Sequence, residues 1–250
     1  MGTLITPAKG YRTGRRAGRP LAARQQLAVI ALVYGVYLLI RAFGSIGGDK
    51  RAVDNAGSVL GAERALRIDW ETPVQDWFHA HDWLASTANA FYLFAHWPVI
   101  AIVAVWLFRR VPDGFRLLRD AMYLSAAGAF VVFAAFPVAP PRLSIPALSN
   151  ALVGRVGGAN DVLQPTRLMN EFAAMPSLHL GWNLLLGLVV MRFARAQWVR
   201  LTGAAIPILM SVAVVATANH FVLDVVCGVV VALGGWWGAR MLARRAGRPV

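Results

Sequence analysis

Acidic residues are scarce in this chain, with 12 Asp and Glu against 25 Lys and Arg in 250 residues. Cysteine occurs once, as Cys227 within an apolar run, which excludes a disulfide framework and a cysteine-rich metal site and leaves it a packing role. Charged residues of either sign make up only 15% of the chain, whereas hydrophobic residues reach 58% and the mean hydropathy is +0.54. Soluble domains carry roughly 45–50% apolar residues, so an ordinary soluble protein is excluded. The apolar runs lack the period-two alternation of membrane β-barrel strands, and no internal repeat is evident.

Instead there are long apolar stretches, at 25–43, 83–108, 119–137, 178–194, 200–219 and 220–239. A spanning helix needs ~20 such residues. The expectation is an all-α polytopic membrane protein, a six-transmembrane-helix bundle forming one domain over 25–240. Residues 1–24 and 241–250 flank it as basic tails. The first tail carries Lys9, Arg12, Arg15, Arg16, Arg19 and Arg24 with no acid, and its Gly, Ala and Pro content predicts disorder. Arg15 and Arg16 also form a twin-arginine pair, but Gly18, Arg19 and Pro20 continue that export signal poorly.

The formal charge of +13 is distributed, not clustered. The two tails and the connections near 109–119 and 192–200 are strongly basic, with Asp113 and Asp120 their only acids, whereas 41–82 and 138–177 are nearly balanced. Such alternation is the positive-inside pattern. It predicts a multi-pass protein of the cell membrane with both termini cytosolic, and it makes the charge a topology signal, not a nucleic-acid surface. In the segment 48–82, Val59, Leu60, Leu66, Ile68, Trp70, Val74, Trp77 and Phe78 recur at mixed helical spacing. One or two amphipathic helices on the extracytoplasmic surface are expected there, with Trp70 and Trp77 at headgroup depth. The Pro- and Gly-rich connection 138–177 is long enough to be functional or disordered.

Two short stretches place chemistry at the ends of apolar runs: AAMPSLHLGWN at 173–183 and ANHFVLD at 218–224. His179 follows Pro176 and Ser177 at the start of the fourth run, with Pro176 placed near a first helical turn. His220 and Asp224, spaced i and i+4, are expected on one helix face. Asp224 is the only acid within the core of an apolar run, and an intramembrane acid is a functional candidate by default. A carboxylate beside an imidazole holds its tautomer and stabilises the imidazolium, which makes the histidine a nucleophile or base. His96, between Ala95 and Trp97-Pro98, reads as a packing histidine. A metal bound by His179, His220 and Asp224 is compatible in ligand type, but no Cys or Glu-x-x-His pattern supports it, and no cofactor is expected.

Pro176-Ser177-x-His179 followed by His220-x-x-x-Asp224 resembles two motifs of the type 2 phosphatidic acid phosphatase superfamily, which includes the vanadium haloperoxidases. The words FPVAPPRL, AAMPSLHLGW and ANHFVLD look more narrowly like its inositolphosphotransferase-like branch, related to inositol phosphorylceramide synthases; the similarity runs from about residue 55 to 240. The resemblance implies that His220 attacks phosphorus to form phosphohistidine, that Asp224 orients it, and that His179 serves as general acid and base. Ser177 and nearby amides would hold phosphoryl oxygens. The pattern departs at two cation positions, occupied by Ala135 and Val214, so Arg142 and Arg167 are the candidates for binding phosphate. Leu178 replaces a glycine.

The expected function is a lipid phosphatase or phosphotransferase acting on a lipid phosphate or phosphodiester at the outer leaflet, with water or a polyol, sugar or lipid hydroxyl as acceptor. Fewer cations favour a monoanionic diester over a dianionic monoester. The reading from another class is a lipid or small-molecule transporter using the His/Asp cluster as a relay, although such proteins commonly show repeats and midplane sites.

Overall fold

The computed structural model describes residues 48–145 and 172–248, with Gln25, Ala28 and Gly35. Its described residues form helices and no strand. In chain order these are α1 (Gly48–Leu66), α2 (Glu71–His79), α3 (Asp82–Arg110), α4 (Pro112–Ala135), the single turn α5 (Pro141–Ser144), α6 (Leu178–Phe193), α7 (Gln197–Ala216) and α8 (Val222–Arg245). Helices α3, α4, α7 and α8 are each long and apolar enough to cross a membrane. The protein is a multi-pass membrane protein. The expected first span, 25–43, lies outside the described residues apart from Gln25, Ala28 and Gly35, and so does the tail 1–24, whereas the expected tail 241–250 is described to residue 248 and continues α8 as far as Arg245.

Helix α6 has 16 residues, about 24 Å at 1.5 Å per residue, against a hydrocarbon core of ~30 Å. It is enclosed by α3, α4, α7 and α8, and the non-helical backbone before it is satisfied from within. Val138 N donates to Phe172 O at 2.9 Å and Ala174 N to Val138 O at 3.1 Å. Irregular backbone at membrane depth is tolerated when it is buried in protein in this way.

The core runs through Leu107, Leu118, Leu185, Leu186, Val189 and Phe193. Large apolar residues such as Ile102, Val131, Ile208, Val230 and Trp237 point outward, as a lipid-facing surface requires. Where helices meet, small residues let their backbones approach. A methyl group added at Gly228 would stand 2.4 Å from Ser177 O, one at Gly187 2.4 Å from Gly203 O, and one at Gly235 2.5 Å from Ala121 O. Pro207, inside α7, supplies no amide for Gly203 O, four residues earlier.

The amphipathic segment forms two helices, α1 and α2, leaving Trp70 and Trp77 exposed and burying Ala52, Ala56, Val59 and Phe78. Consecutive helices of the bundle run antiparallel. One end therefore gathers α1, α2, α5, the start of α6, the end of α7 and the start of α8. The opposite end carries Arg109, Arg110, Arg192, Arg195, Arg244 and Arg245.

Candidate active site

The site lies where α6 and α8 begin. His220 is not on the face of a helix, contrary to the expectation from its i, i+4 spacing to Asp224, because α8 starts at Val222. Two local devices set that boundary. Helix α7 ends with Ala218 in the left-handed region (φ 52°), Ala218 N bonded to Val215 O at 3.0 Å and Asn219 N to Val214 O at 3.1 Å. That pairing reverses the chain after a helix. At the other side Asp224 Oδ2 reaches back to accept from Phe221 N at 2.9 Å. His220 is pinned between them, its own amide on Val214 O at 3.1 Å.

His220 is 5% exposed, and its Nδ1 lies 2.8 Å from Ala174 O. A carbonyl only accepts, so Nδ1 carries the proton and Nε2 presents a lone pair. Asp224 Oδ2 stands 3.4 Å from the same Nδ1. Asp224 is fully buried, and its Oδ1 has no donor among the described residues. A buried carboxylate is costly unless a cation appears beside it, and His220 supplies one whenever it becomes positively charged.

Ser177 caps α6, accepting from Leu180 N at 3.4 Å, and donates its own amide to Asp224 O at 2.9 Å. Pro176 therefore precedes the capping residue and does not occupy the first helical turn. Ser177 is fully buried. It ties α6 to α8, and the absent side chain of Gly228 permits that contact. His179, the second residue of α6, is partly exposed, with its ring centroid 6.2 Å from that of His220.

His96, read from sequence as packing, is part of this cluster. Its ring lies 4.5 Å from that of His179, and Tyr92 approaches His179 to 4.7 Å. A π-helical turn at Phe91–Ala95 interrupts α3 just before His96; such turns add a residue per turn and rotate the side chains that follow. Asn183 Nδ2 donates to His96 Nδ1 at 2.8 Å and to His179 O at 2.7 Å. An amide NH2 only donates, so His96 holds its proton on Nε2. Asn183 lies four residues after His179, a spacing that could have flagged it; nothing local could have flagged His96.

Arg142, in α5, donates through Nε to Asn219 Oδ1 at 3.1 Å, and its amide donates to Ala218 O at 3.1 Å. Its two Nη groups make no hydrogen bond among the described residues. Asn219 is fixed in turn by Thr217 Oγ1 at 2.8 Å. Arg142 is therefore anchored one residue from His220. Arg167 lies outside the described residues. At Ala135, where the pattern lacked a cation, Arg51 of α1 donates through Nη2 to the backbone oxygen at 2.6 Å. Val214 is fully buried, where a charged side chain would have no water. No group of three or more His, Cys, Asp or Glu among the described residues is arranged to hold a metal ion.

A family model described as PAP2 superfamily matches residues 57–238. The chain belongs to the PAP2 superfamily and is a phosphatase-type membrane protein. No curated protein and no solved structure matches it. The matched span begins within α1 and ends within α8, so it takes in His96, Arg142, Ser177, His179, Asn183, Asn219, His220 and Asp224, while Arg51 precedes it.

Proposed function

We propose that this protein transfers a phosphoryl or phosphodiester group from a lipid through a phosphohistidine on His220, at the extracytoplasmic face of the cell membrane. The observation that carries this reading is the 2.8 Å contact from His220 Nδ1 to Ala174 O, which leaves Nε2 as the nucleophile. In the first step Nε2 bonds to phosphorus, the bond to the leaving oxygen breaks, and His179 gives that oxygen a proton. In the second, His179 takes a proton from water or an alcohol as its oxygen attacks phosphorus, and the P–N bond breaks. Asp224 balances the positive imidazole between the two steps. The His179 and His220 rings, with centroids 6.2 Å apart, stand at one site. Ser177 contributes its hydroxyl proton and the start of α6, a place where anions are favoured. The His/Asp relay of a transporter is not needed to account for this arrangement, and family membership does not favour it.

Arg142 is the phosphate-binding cation of this reading, with Arg51 as a second and Arg167 as a third. A guanidinium binds two phosphate oxygens at once; an ammonium does not. Arg142→Lys is expected to lose roughly tenfold or more in kcat/KM, since hydrogen bonds to charged groups are worth about 1.5–3 kcal/mol. Phosphate release from a panel of lipid phosphates and phosphodiesters, with and without added alcohols, measures it and identifies the acceptor. Full activity in Arg142→Ala removes the residue from the site.

The side of the membrane rests on the arginine-rich end lying opposite the site. A cysteine introduced at Gly158 in the Cys227→Ala background should label from outside intact cells, and one at Arg195 only after permeabilisation. The opposite pattern places the site in the cytosol.

A further inference from the structure

Three carboxylates from three parts of the chain hold the first turn of α8. Glu63 Oε1, from the last turn of α1, accepts from Leu223 N at 2.7 Å. Glu71 Oε1, from the first residue of α2, accepts from Val222 N at 2.8 Å. Asp224 Oδ2 accepts from Phe221 N at 2.9 Å. These are the three consecutive amides that follow His220, and amides at a helix start have no partner inside the helix. A single local side chain usually serves such a turn. Here two of the three come from residues 160 and 151 positions away. Glu63 and Glu71 are 0% and 1% exposed, and neither forms an ion pair with a Lys or Arg among the described residues. Glutamates buried so completely are almost always paired.

We propose that Glu63 and Glu71 are positioning residues of the site: by fixing the amides that follow His220 they aim its imidazole, and they make α1 and α2 a clamp on the catalytic end of α8. The groups facing Glu63 are Glu71 from α2 and, at α8, Asp224 with His220 beyond it; Arg64 and Arg67 of its own segment are exposed. Three carboxylates around one turn repel unless one of them is protonated. Glu63 Oε2 has no donor among the described residues. Burial, above all, pushes the Glu63 carboxyl up from 4.5 to about 8; the Leu223 amide opposes this, and the charges of Glu71 and Asp224 add to it. Glu63 is the carboxyl whose burial most favours the proton.

The sign of the pH effect follows. The folded protein binds the Glu63 proton more tightly than the unfolded chain, so this contribution to stability is full below about pH 4.5 and is lost as pH rises through about 8. The clamp rests on the phosphohistidine reading only where turnover is the readout. The test uses the full-length protein in lipid nanodiscs, following thermal unfolding from about pH 5 to 9 and kcat and KM for phosphate release. The midpoint of the natural protein should fall over that range, and Glu63→Gln, which cannot ionise but still offers an oxygen, should flatten the fall. Glu71→Ala should lower kcat by roughly tenfold or more with little change in KM, and Glu71→Gln should recover most of it, since a cap needs an acceptor more than a charge. An identical pH dependence in the natural protein and Glu63→Gln, or an unchanged kcat in both Glu63→Ala and Glu71→Ala, overturns the proposal. If the natural protein releases no phosphate from any lipid, the phosphohistidine reading fails, and the unfolding curves still decide the clamp.

Discussion

His220→Ala abolishes phosphate labelling of the protein, and His179→Ala does not: that is the expected result of a rapid quench with labelled substrate, scored as acid-labile, base-stable phosphate. Without the His220 imidazole no nitrogen takes up phosphorus, so neither intermediate nor product forms, even from a substrate with a good leaving group. Without His179 the nucleophile stays on Ala174 O and Asp224, and only proton delivery is lost. General acid help is worth about 10²–10⁴-fold on a poor leaving group. The loss should be of that order on a lipid substrate and should shrink for an activated aryl ester. Asp224→Asn is expected to fall between, because it keeps the shape at Phe221 N but cannot balance a positive imidazole. Label persisting in His220→Ala, or appearing on Ser177, defeats the mechanism.

Gly228→Ala is expected to be among the most damaging single-methyl changes in the chain. The new Cβ would lie 2.4 Å from Ser177 O, 3.3 Å from Ser177 N and, through its neighbour Ser177 C, 3.2 Å from rigid backbone. No flexible side chain is there to move aside, so α8 must retreat from the start of α6. Overpacking of this kind costs about 1–3 kcal/mol. The functional loss should be larger than the loss of stability suggests, because the retreat separates His179 from His220, and a misplacement of ~1 Å can cost about 10²-fold in rate. Gly234→Ala, six residues further along α8, is the control. Nothing lies within 4 Å of its added Cβ, and the change should leave turnover intact and help the helix by about 0.5–1 kcal/mol. Thermal unfolding and phosphate release measured on both variants separate the two effects. Equal behaviour of the pair would show that the close approach at Ser177 does not hold the site together.

The membrane class, the apolar helices and the pairing of His179 with His220 and Asp224 were legible in the sequence. Hydropathy and charge alternation are sums over many residues, and the two motifs pack several polar groups into short words. Helix ends were less legible. The run 220–239 became α8 at Val222–Arg245 because capping by Asp224, not hydropathy, decides where the helix begins. For the same reason His220 sits ahead of the helix and not on its face.

What the sequence by itself determined is the inventory: long apolar segments that must be helical in lipid, basic residues gathered at alternate connections, and two histidines, a serine and an aspartate at the edges of two of those segments. The tertiary structure alone decided which other groups join them. His96 reaches His179 through a π-helical turn in a different helix, Arg142 is held by Asn219 across 77 residues, and Glu63 and Glu71 reach α8 across 160 and 151. Side chains so distant along the chain carry no local pattern. They meet only because glycines such as Gly228 let the helix backbones close, and because a buried amide or carboxylate must find a partner wherever the fold supplies one.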